Sequence, residues 1–216
     1  MKRCYLSRHA QTAWNSENRI QGYSDRPLSS TGSLQAQRLG TFFAARHLKR
    51  IFTSPLQRSR QTAHAIASGN GHGASLVIER ELAEMHLGAW EGLTPVEVDL
   101  KFQGAYQRWR QQPSSVSIPQ AEQVSAFRAR ARRALERVLS SMDDEGEYAV
   151  VSHGGVIAAV LADLLQADYD AVIRRVRLDN AGITALEYGD GTPHVLWINS
   201  TEHLSDLSIP SSEGWF

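Results

Sequence analysis

The sequence predicts an α/β fold with a mostly parallel central sheet and helices on both of its faces. Short apolar segments of strand length alternate with longer segments of helical periodicity along most of the chain, and this alternation is typical of parallel sheets. The 216 residues are 42% hydrophobic, which is enough for one sizeable core. At this length one domain with a sizeable core is favoured over two small domains, so we predict a single domain over residues 1–216.

The first 80 residues are predicted to contain three strands with two helices between them. The segments are a strand at 3–7, a loop to 30, a helix from 31 to about 47, a strand at 50–55, a helix at 56–68 and a strand at 74–79. The helix from 31 carries Leu39, Phe42 and Phe43 near helical spacing, so one of its faces should be buried. The glycine-rich stretch at 69–73 ends the second helix and is predicted to be a connector.

Two further helices are predicted between residues 94 and 142. Thr94-Pro95 starts the first, and Glu97 stands where a capping box needs it. The second spans about 121–142, after a polar break at 111–117. Its apolar face consists of Val124, Phe127, Ala131, Leu135, Val138 and Met142. The arginines at 128, 130, 132, 133 and 137 are predicted to form its solvated side, and the alternative is a basic binding surface.

The last third of the chain has one more strand and helix and ends in a hairpin. The segment "YAVVSHGGVIAAVLADLL" predicts a strand, a tight His-Gly-Gly turn and a helix. Two strands follow at about 182–199, joined by a turn at 189–191, and the tail at 205–216 is predicted to be loosely ordered. The hairpin would add antiparallel strands at one edge of the sheet.

Charge and cysteine content exclude several classes of protein. With 23 basic and 23 acidic side chains the formal charge is zero, so no overall field points to nucleic acid or to an anionic membrane surface. One cysteine, Cys4, allows no internal disulfide and no multi-cysteine metal site, and its strand-like context predicts a buried thiol. The apolar run near the amino terminus is too short for a signal peptide, and no segment approaches a membrane span. We therefore expect a cytoplasmic protein.

Cationic side chains follow three of the predicted strands. Arg8 and His9 come directly after the first strand, Arg58 lies on the helix after the second, and His153 follows the strand at 148–152. Because the carboxyl ends of parallel strands form the site in such sheets, two arginines and two histidines should converge on one pocket. An anionic ligand is the simplest reason for this cluster, since guanidinium groups match phosphate oxygens in pairs. Taken singly, each residue also fits an ordinary loop or surface role.

Four blocks of the sequence resemble the signature blocks of one family. They are "RHAQTAWNSENRIQGYSDRPLSSTGSLQAQRLG", "TSPLQRSRQTA", "ELAEMHLGAWEGLTP" and "VVSHGGVI". In content and order they are similar to the histidine phosphatase superfamily, in its phosphoglycerate-mutase-like branch. The resemblance implies a three-layer αβα fold with a small helical cap at about 85–120. Ala10 stands where the family most often has glycine; we expect the added methyl to be tolerated, and a tighter pocket floor is the alternative.

The resemblance also implies a role for each residue of the predicted pocket. His9 matches the nucleophile that becomes a phosphohistidine, and nearby arginines would keep its imidazole neutral. Arg8, Arg58 and His153 match the residues that hold the phosphate and neutralise its charge. Glu84 matches the proton donor, whose pKa a nearby phosphate dianion would raise. Further phosphate or substrate contacts are implied for Asn15, Gln21, Gly22 and Gly154.

Three features favour a phosphatase over a mutase. The segment after Glu84 is Met-His-Leu-Gly, where mutases of the superfamily usually have Arg-His-Tyr-Gly. His153 is followed by Gly-Gly instead of Gly-Asn, and the span between Glu84 and His153 is shorter than in typical mutases. A smaller, more open cap admits water, which hydrolyses the phosphohistidine. We therefore predict hydrolysis of small phosphate monoesters without a metal or another cofactor.

Two other functions stay open at this point. One is a phosphoglycerate mutase, and the other is a non-catalytic module that binds a phosphorylated ligand. A serine hydrolase is excluded because the chain contains no Gly-x-Ser-x-Gly motif. The expected partner is a small phosphorylated metabolite, and a homodimer is common among relatives. His86, Trp109 and the arginines at 108 and 110 are candidates for contacts to the leaving group or for packing, and His203 has no assigned role.

Overall fold

A six-stranded sheet lies at the centre of the computed structural model, which describes residues 1–189 and 193–207. The strands are β1 Lys2–Arg8, β2 Leu48–Thr53, β3 Ser75–Ile78, β4 Gly146–Ser152, β5 Ile183–Tyr188 and β6 Pro193–Ser200. Their order is β3-β2-β4-β1-β5-β6, in which the first four strands are parallel and β5 and β6 are antiparallel to their neighbours. The prediction of a mostly parallel sheet with antiparallel strands at one edge is therefore confirmed.

Helices connect the parallel strands and cover the sheet. The α-helices of the described residues are α1 Ala13–Ser16, α2 Ser30–Ala44, α3 Gln57–Asn70, α4 Pro95–Lys101, α5 Ala105–Gln111, α6 Val124–Ser140, α7 Gly154–Leu164 and α8 Tyr169–Arg175. The predicted capping box at the start of α4 is present, since the side chains of Thr94 and Glu97 each accept from the other's backbone amide. Within this part of the chain, each helix falls short of the length and apolar character needed to cross a bilayer.

Alternate residues of the strands point into two separate hydrophobic clusters. In β1, Cys4 and Leu6 join a cluster with residues of α6, α7 and α8, whereas Tyr5 joins a second cluster with residues of α2 and α3. In β4, Val150 belongs to the first cluster and Val151 to the second. Because side chains alternate with a period of two, each face of the sheet is covered by its own helical layer. The predicted three-layer arrangement is confirmed, and Cys4 is buried as predicted.

Several elements differ from the prediction: the helix predicted from Thr94 is divided into α4 and α5, α8 was not predicted, and α2 and β2 have shifted bounds. Two further differences have a clear physical cause. The predicted loop at 8–30 contains α1, because Thr12 and Asn15 form a capping box that the sequence analysis did not recognise. The helix predicted from 121 begins at Val124, since the amide of Glu122 donates to the carbonyl of His86 and holds this segment outside the helix. Of the predicted hairpin turn and tail, residues 190–192 and 208–216 lie outside the described residues.

The prediction that the arginines of α6 lie on its solvated side is correct for most of them and wrong for one. Arg132, Arg133 and Arg137 are exposed on this side, and each pairs with a carboxylate of another segment. The side chain of Arg130 is only 13% exposed. It donates to backbone carbonyls of the segment that ends at Glu84, which the helical periodicity of α6 alone could not reveal.

The amino-terminal turn of α2 packs directly on the backbone that follows His9. A β-carbon on Gly32 would lie 1.9 Å from the carbonyl oxygen of Gln11, so backbone would have to move. We expect Gly32→Ala to lower the free energy of unfolding by about 1–3 kcal/mol, the usual cost of overpacking. Urea denaturation followed by circular dichroism measures this. Gln37→Ala, at an exposed position of the same helix, should change that free energy by less than about 0.5 kcal/mol; equal losses would contradict the packing argument.

Candidate active site

Two histidines stand side by side where neighbouring parallel strands end. Arg8 of β1 pairs with Ser152 of β4, so His9 and His153, which follow these residues, meet at the same edge of the sheet. Their ring centroids are 5.2 Å apart. The amide of His9 donates to the carbonyl of Ser152 at 2.8 Å, which holds the two strand ends together. The register of β1 and β4 therefore brings both imidazoles into one site.

The imidazole of His9 is held in one orientation by contacts at both ring nitrogens. Its Nδ1 lies 2.7 Å from the carbonyl oxygen of Ala10, and because a carbonyl only accepts, Nδ1 carries the proton. The Nε2 atom is then the acceptor, and Arg58 Nε donates to it at 3.2 Å. Burial, and then the cations of Arg58 and Arg8, hold the pKa of His9 well below its usual value. His9 is therefore neutral near pH 7, with a lone pair on Nε2.

Arg58 reaches the site from the first turn of α3. Besides the contact with His9, its Nη1 donates to the carbonyl of Ser24 and its Nη2 to the carbonyl of Gly22, each at 2.8 Å. Gly22 has a φ of +53°, a left-handed conformation in which glycine is favoured. Burial lowers the pKa of Arg58 to about 10, so the guanidinium stays charged at neutral pH. The 22–24 loop thus fixes the position of this cation.

Arg8 is the last residue of β1 and supplies a second buried guanidinium. Its side chain is 2% exposed, and Nη1 donates to the carbonyl of Leu178 at 2.7 Å. Burial lowers its pKa, while the carboxylates of Glu84 and Asp179 act in the opposite direction. Placing two guanidinium groups in a poorly solvated site is costly without a compensating negative charge. The site is therefore suited to an anion.

His153 follows β4 and forms the amino-terminal cap of α7. Its Nε2 lies 2.8 Å from Ser54 Oγ and 3.3 Å from Ser59 Oγ, so two hydroxyl groups orient the ring. Its Nδ1 is buried and has no hydrogen-bond partner among the described residues. Burial, and then Arg58, His9 and Arg8, hold the pKa of His153 well below its usual value. A neutral imidazole with one unused nitrogen thus lies beside His9.

Glu84 enters the site from the segment that follows β3. Its Oε1 accepts from the amide of Met85 at 2.9 Å, and its Oε2 accepts from the amide of Gly155 in α7 at 3.1 Å. Burial raises the pKa of this carboxyl, against the lowering effect of those two amides and of Arg58 and Arg8. The side chain is therefore a buried carboxyl beside two cations, and it protonates more readily than a surface glutamate.

The other predicted contact residues adjoin the same site, where Asn180 donates both to the carbonyl of His9 and to Asn15 Oδ1. Asn15 Oδ1 accepts from the amide and hydroxyl of Thr12, and Gln21 Oε1 accepts from the same hydroxyl. Gln21 Nε2 is buried and has no partner within the described part of the chain. Gly154 is the first residue of α7. The structure thus links Asn15 and Gln21 through Thr12, and leaves an amide donor of Gln21 for a ligand.

Comparison with known proteins shows to which family the chain belongs. A profile of the Histidine phosphatase superfamily (branch 1) matches residues 4–201. The chain belongs to this superfamily. Phosphoserine phosphatase 1 of Hydrogenobacter thermophilus (strain DSM 6534 / IAM 12695 / TK-6) is 29% identical over 209 residues, which are 97% of each chain. A protein of Serratia proteamaculans (strain 568) named "Probable phosphoglycerate mutase GpmB" is 32% identical over 197 residues, which are 87% of this chain and 86% of that one.

A solved structure of the superfamily shows the same fold. Mycobacterial glucosyl-3-phosphoglycerate phosphatase, in a complex with VO3, matches this chain with a TM-score of 0.83 and 28% sequence identity. The match covers 93% of this chain and 100% of the other. The relatives of this superfamily member thus include phosphatases and mutases.

Sequence reasoning missed three polar residues of this histidine phosphatase site. Ser54 and Ser59 contact His153, and Asn180 donates from Nδ2 to the carbonyl of His9 at 3.1 Å. Ser54 could have been found, because it directly follows β2 at the same edge as His9. Asn180 could be predicted only if the direction of β5 were known. An antiparallel strand begins at the edge where parallel strands end, so the loop before β5 lies beside the site.

The methyl group of Ala10, where the superfamily most often has glycine, packs into the cluster between the sheet, α2 and α3. Ala10 is fully buried there together with Leu39 and Ala63. Its carbonyl meanwhile accepts from His9. The methyl is therefore accommodated by the core, and the backbone keeps the contact that orients the histidine.

Candidate leaving-group contacts from the cap region differ in their surroundings. Trp109 is 4% exposed and packs against Trp90 with ring centroids 6.5 Å apart, so its role is in packing. His86 is exposed, with its ring centroid 6.0 Å from that of Tyr23. His203, which lies beside Phe42, has its pKa lowered by burial to about 4. Of the predicted candidates, His86, Arg108 and Arg110 are exposed, and His86 is the one that lies two positions from Glu84.

Proposed function

We infer that this protein is a phosphatase that hydrolyses small phosphate monoesters through a phosphohistidine. The observation that carries the proposal is the state of His9. Its Nδ1 is engaged by the Ala10 carbonyl, its Nε2 keeps a lone pair, and that nitrogen is beside buried guanidinium groups. A neutral imidazole nitrogen is a nucleophile, and the arginines supply the charge that attracts a phosphate.

The first chemical step transfers the phosphoryl group to the protein. Nε2 of His9 attacks phosphorus, and the bond between phosphorus and the ester oxygen breaks. Protonated Glu84 gives its proton to that oxygen, so the alcohol leaves as a neutral molecule. In the second step a water attacks phosphorus, the phosphorus–nitrogen bond breaks, and Glu84 takes the proton of the water. The products are the alcohol and inorganic phosphate, and both side chains return to their starting states.

The proton donor role of Glu84 needs a carboxyl that is protonated near neutral pH. Burial already raises its pKa. A bound phosphate adds like-charge repulsion of about 4 kcal/mol per unit charge at 4 Å and an effective dielectric constant near 20, although Arg8 and Arg58 offset part of it. The ligand therefore promotes protonation of the group that must protonate its leaving oxygen.

We propose that three side chains and a helix terminus bind the phosphoryl oxygens. Arg8 and Arg58 provide positive charge, and the unused Nδ1 of His153 can donate from a neutral ring. The amide of Gly154 begins α7, where helix N-termini favour anions, while the amide of Gly155 already donates to Glu84. These groups are fixed before the ligand arrives, which is the condition for stabilising charge that develops in the transition state.

The segment after Glu84 favours hydrolysis over phosphoryl transfer to a second substrate oxygen. Met85 stands where mutases of the superfamily usually have arginine, and it is 3% exposed. Leu87, in place of the usual tyrosine, is also buried. These positions therefore lack a cation and a hydroxyl that could retain a phosphoglycerate, so water is the acceptor we propose.

Hydrolysis of an aryl phosphate in the presence of EDTA tests the proposal. We expect steady turnover that excess EDTA leaves unchanged, because the guanidinium groups of Arg8 and Arg58 neutralise the charge of the phosphate without a metal ion. Among residues 1–189 and 193–207, no group of three His, Cys, Asp or Glu side chains is placed to hold a metal ion. A metal-dependent phosphatase in the same buffer is the control for chelation. Activity that EDTA removes and Mg²⁺ restores would contradict the mechanism.

A mutase is the second candidate, because the Serratia proteamaculans relative carries that name. It would convert 3-phosphoglycerate to 2-phosphoglycerate and would be stimulated by a bisphosphate primer. Phosphorus NMR of the reaction mixture separates the two functions, since hydrolysis releases inorganic phosphate and a mutase does not. Binding of phosphate without any turnover would instead indicate a non-catalytic module. Screening small phosphorylated metabolites by specificity constant would then identify the substrate.

A further inference from the structure

The guanidinium of Arg130 lies between α6 and the backbone that carries Glu84. Its Nη1 donates to the carbonyls of Glu81 (at 3.0 Å) and Ala83, and its Nη2 donates to the carbonyl of Glu84 at 2.7 Å. The side chain is 13% exposed, so solvent competes little for these bonds. A single cation therefore holds three carbonyls in the four residues that end at Glu84.

Glu122 completes the contacts of Arg130. Its carboxylate accepts from Nε at 2.7 Å and from Nη2 at 2.8 Å, as a bidentate pair. All the N–H groups of the guanidinium are then in use, since Nη1 and Nη2 each make two bonds and Nε makes one. The amide of Glu122 also donates to the carbonyl of His86 at 2.9 Å. Arg130 and Glu122 together hold the backbone on both sides of Glu84.

We propose that Arg130 is a positioning residue that fixes Glu84 for proton transfer, an inference that rests on the proposed function. The carboxyl of Glu84 has its own bonds to the amides of Met85 and Gly155, but their geometry depends on where the Glu84 backbone lies. Proton transfer to a leaving oxygen requires near-contact geometry, and a misplacement of about 1 Å can cost roughly 100-fold in rate. Lysine cannot replace Arg130, because an ammonium lacks the planar set of five donors.

The neighbouring Arg133 provides a matched control on the same helix. It contacts the Glu81 carboxylate at 2.8 Å, and its side chain is 52% exposed. It therefore shares with Arg130 a charge and a link to the same segment, but its partner is a carboxylate side chain and not a carbonyl of the Glu84 backbone. Arg133→Lys therefore reports the effect of exchanging a guanidinium for an ammonium on α6 without loosening Glu84.

The experiment compares Arg130→Lys with Arg133→Lys on two substrates that differ in leaving group. An alkyl phosphate needs the proton of Glu84, whereas an aryl phosphate leaves well without it. We expect Arg130→Lys to lower kcat on the alkyl phosphate by about 10- to 100-fold, with little change in KM for that substrate. The burst of aryl alcohol, which reports the first step alone, should change much less, although later aryl turnover should slow because Glu84 also activates the water. Arg133→Lys should resemble the unmodified chain. Thermal melting confirms that each variant is folded.

A second readout does not depend on activity. The amide of Met85 donates to Glu84 Oε1, so its hydrogen exchange should quicken in Arg130→Lys and stay slow in Arg133→Lys. Equal losses in the alkyl phosphate kcat and in the rate of the aryl burst, or unchanged exchange at Met85, would overturn the inference while leaving the phosphatase proposal intact. Absence of any turnover by the unmodified chain would overturn the proposed function and the inference with it.

Discussion

His9→Ala should remove turnover of every phosphate ester, by about three orders of magnitude or more, because no other group can form the covalent intermediate. We expect that His153 does not replace it, because the Ser54 and Ser59 hydroxyls contact Nε2 and the ring proton on Nδ1 leaves that nitrogen as a donor to the phosphate. The variant should still bind inorganic phosphate, since Arg8 and Arg58 remain. Initial rates with an aryl phosphate measure the loss, and isothermal titration calorimetry measures the retained binding.

The covalent intermediate can be detected directly in the unmodified chain. Rapid mixing with a labelled aryl phosphate followed by an alkaline quench should leave label on the protein, as a phosphoramidate withstands base. His64→Ala, at an exposed position on α3, is the control and should keep both label and turnover. Label or turnover that survives in His9→Ala would place the nucleophile elsewhere and would end the phosphohistidine mechanism.

The parts of this structure that follow a period were predictable from the sequence. Short apolar segments of strand length, alternating with helices whose apolar residues recur with a period near 3.6, predicted the layers and the parallel sheet. The position of His9 and His153 after their strands, together with Arg58 on the next helix, was enough to expect one cationic pocket. Each of these residues owes its place to a local element, which is why spacing along the chain was informative.

The residues that were missed depend on contacts between distant segments. Asn180 enters the site because β5 runs antiparallel to β1, and the sequence indicated an antiparallel edge without saying where it would join. Arg130 was assigned to a solvated face because its helix is amphipathic, yet the segment before Glu84 covers it. Periodicity describes one element at a time, so it cannot show which outer face of a helix is covered by a loop.

Glu84→Gln should separate the two chemical steps. Glutamine keeps the size of the side chain but cannot give or take a proton, so kcat on an alkyl phosphate should fall by about 10²- to 10⁴-fold. With a good aryl leaving group the first step should survive, and the phosphohistidine should accumulate because no base activates water. A burst of aryl alcohol in stopped flow, followed by slow turnover, measures this. Glu81→Gln, which removes a carboxylate from the same segment, should show neither effect.

The pH dependence of the alkyl phosphate reaction tests whether Glu84 acts as the acid. Burial raises the pKa of Glu84, so the carboxyl stays protonated to a higher pH than a surface glutamate does. The specificity constant should therefore stay constant at pH values below that pKa. It should decline as the pH rises through the pKa, because Glu84 then loses the proton that the leaving oxygen needs. Glu84→Gln should abolish this alkaline decline along with most of the rate. A decline that persists unchanged in the variant would assign the titration to another group and would remove Glu84 from the role of acid.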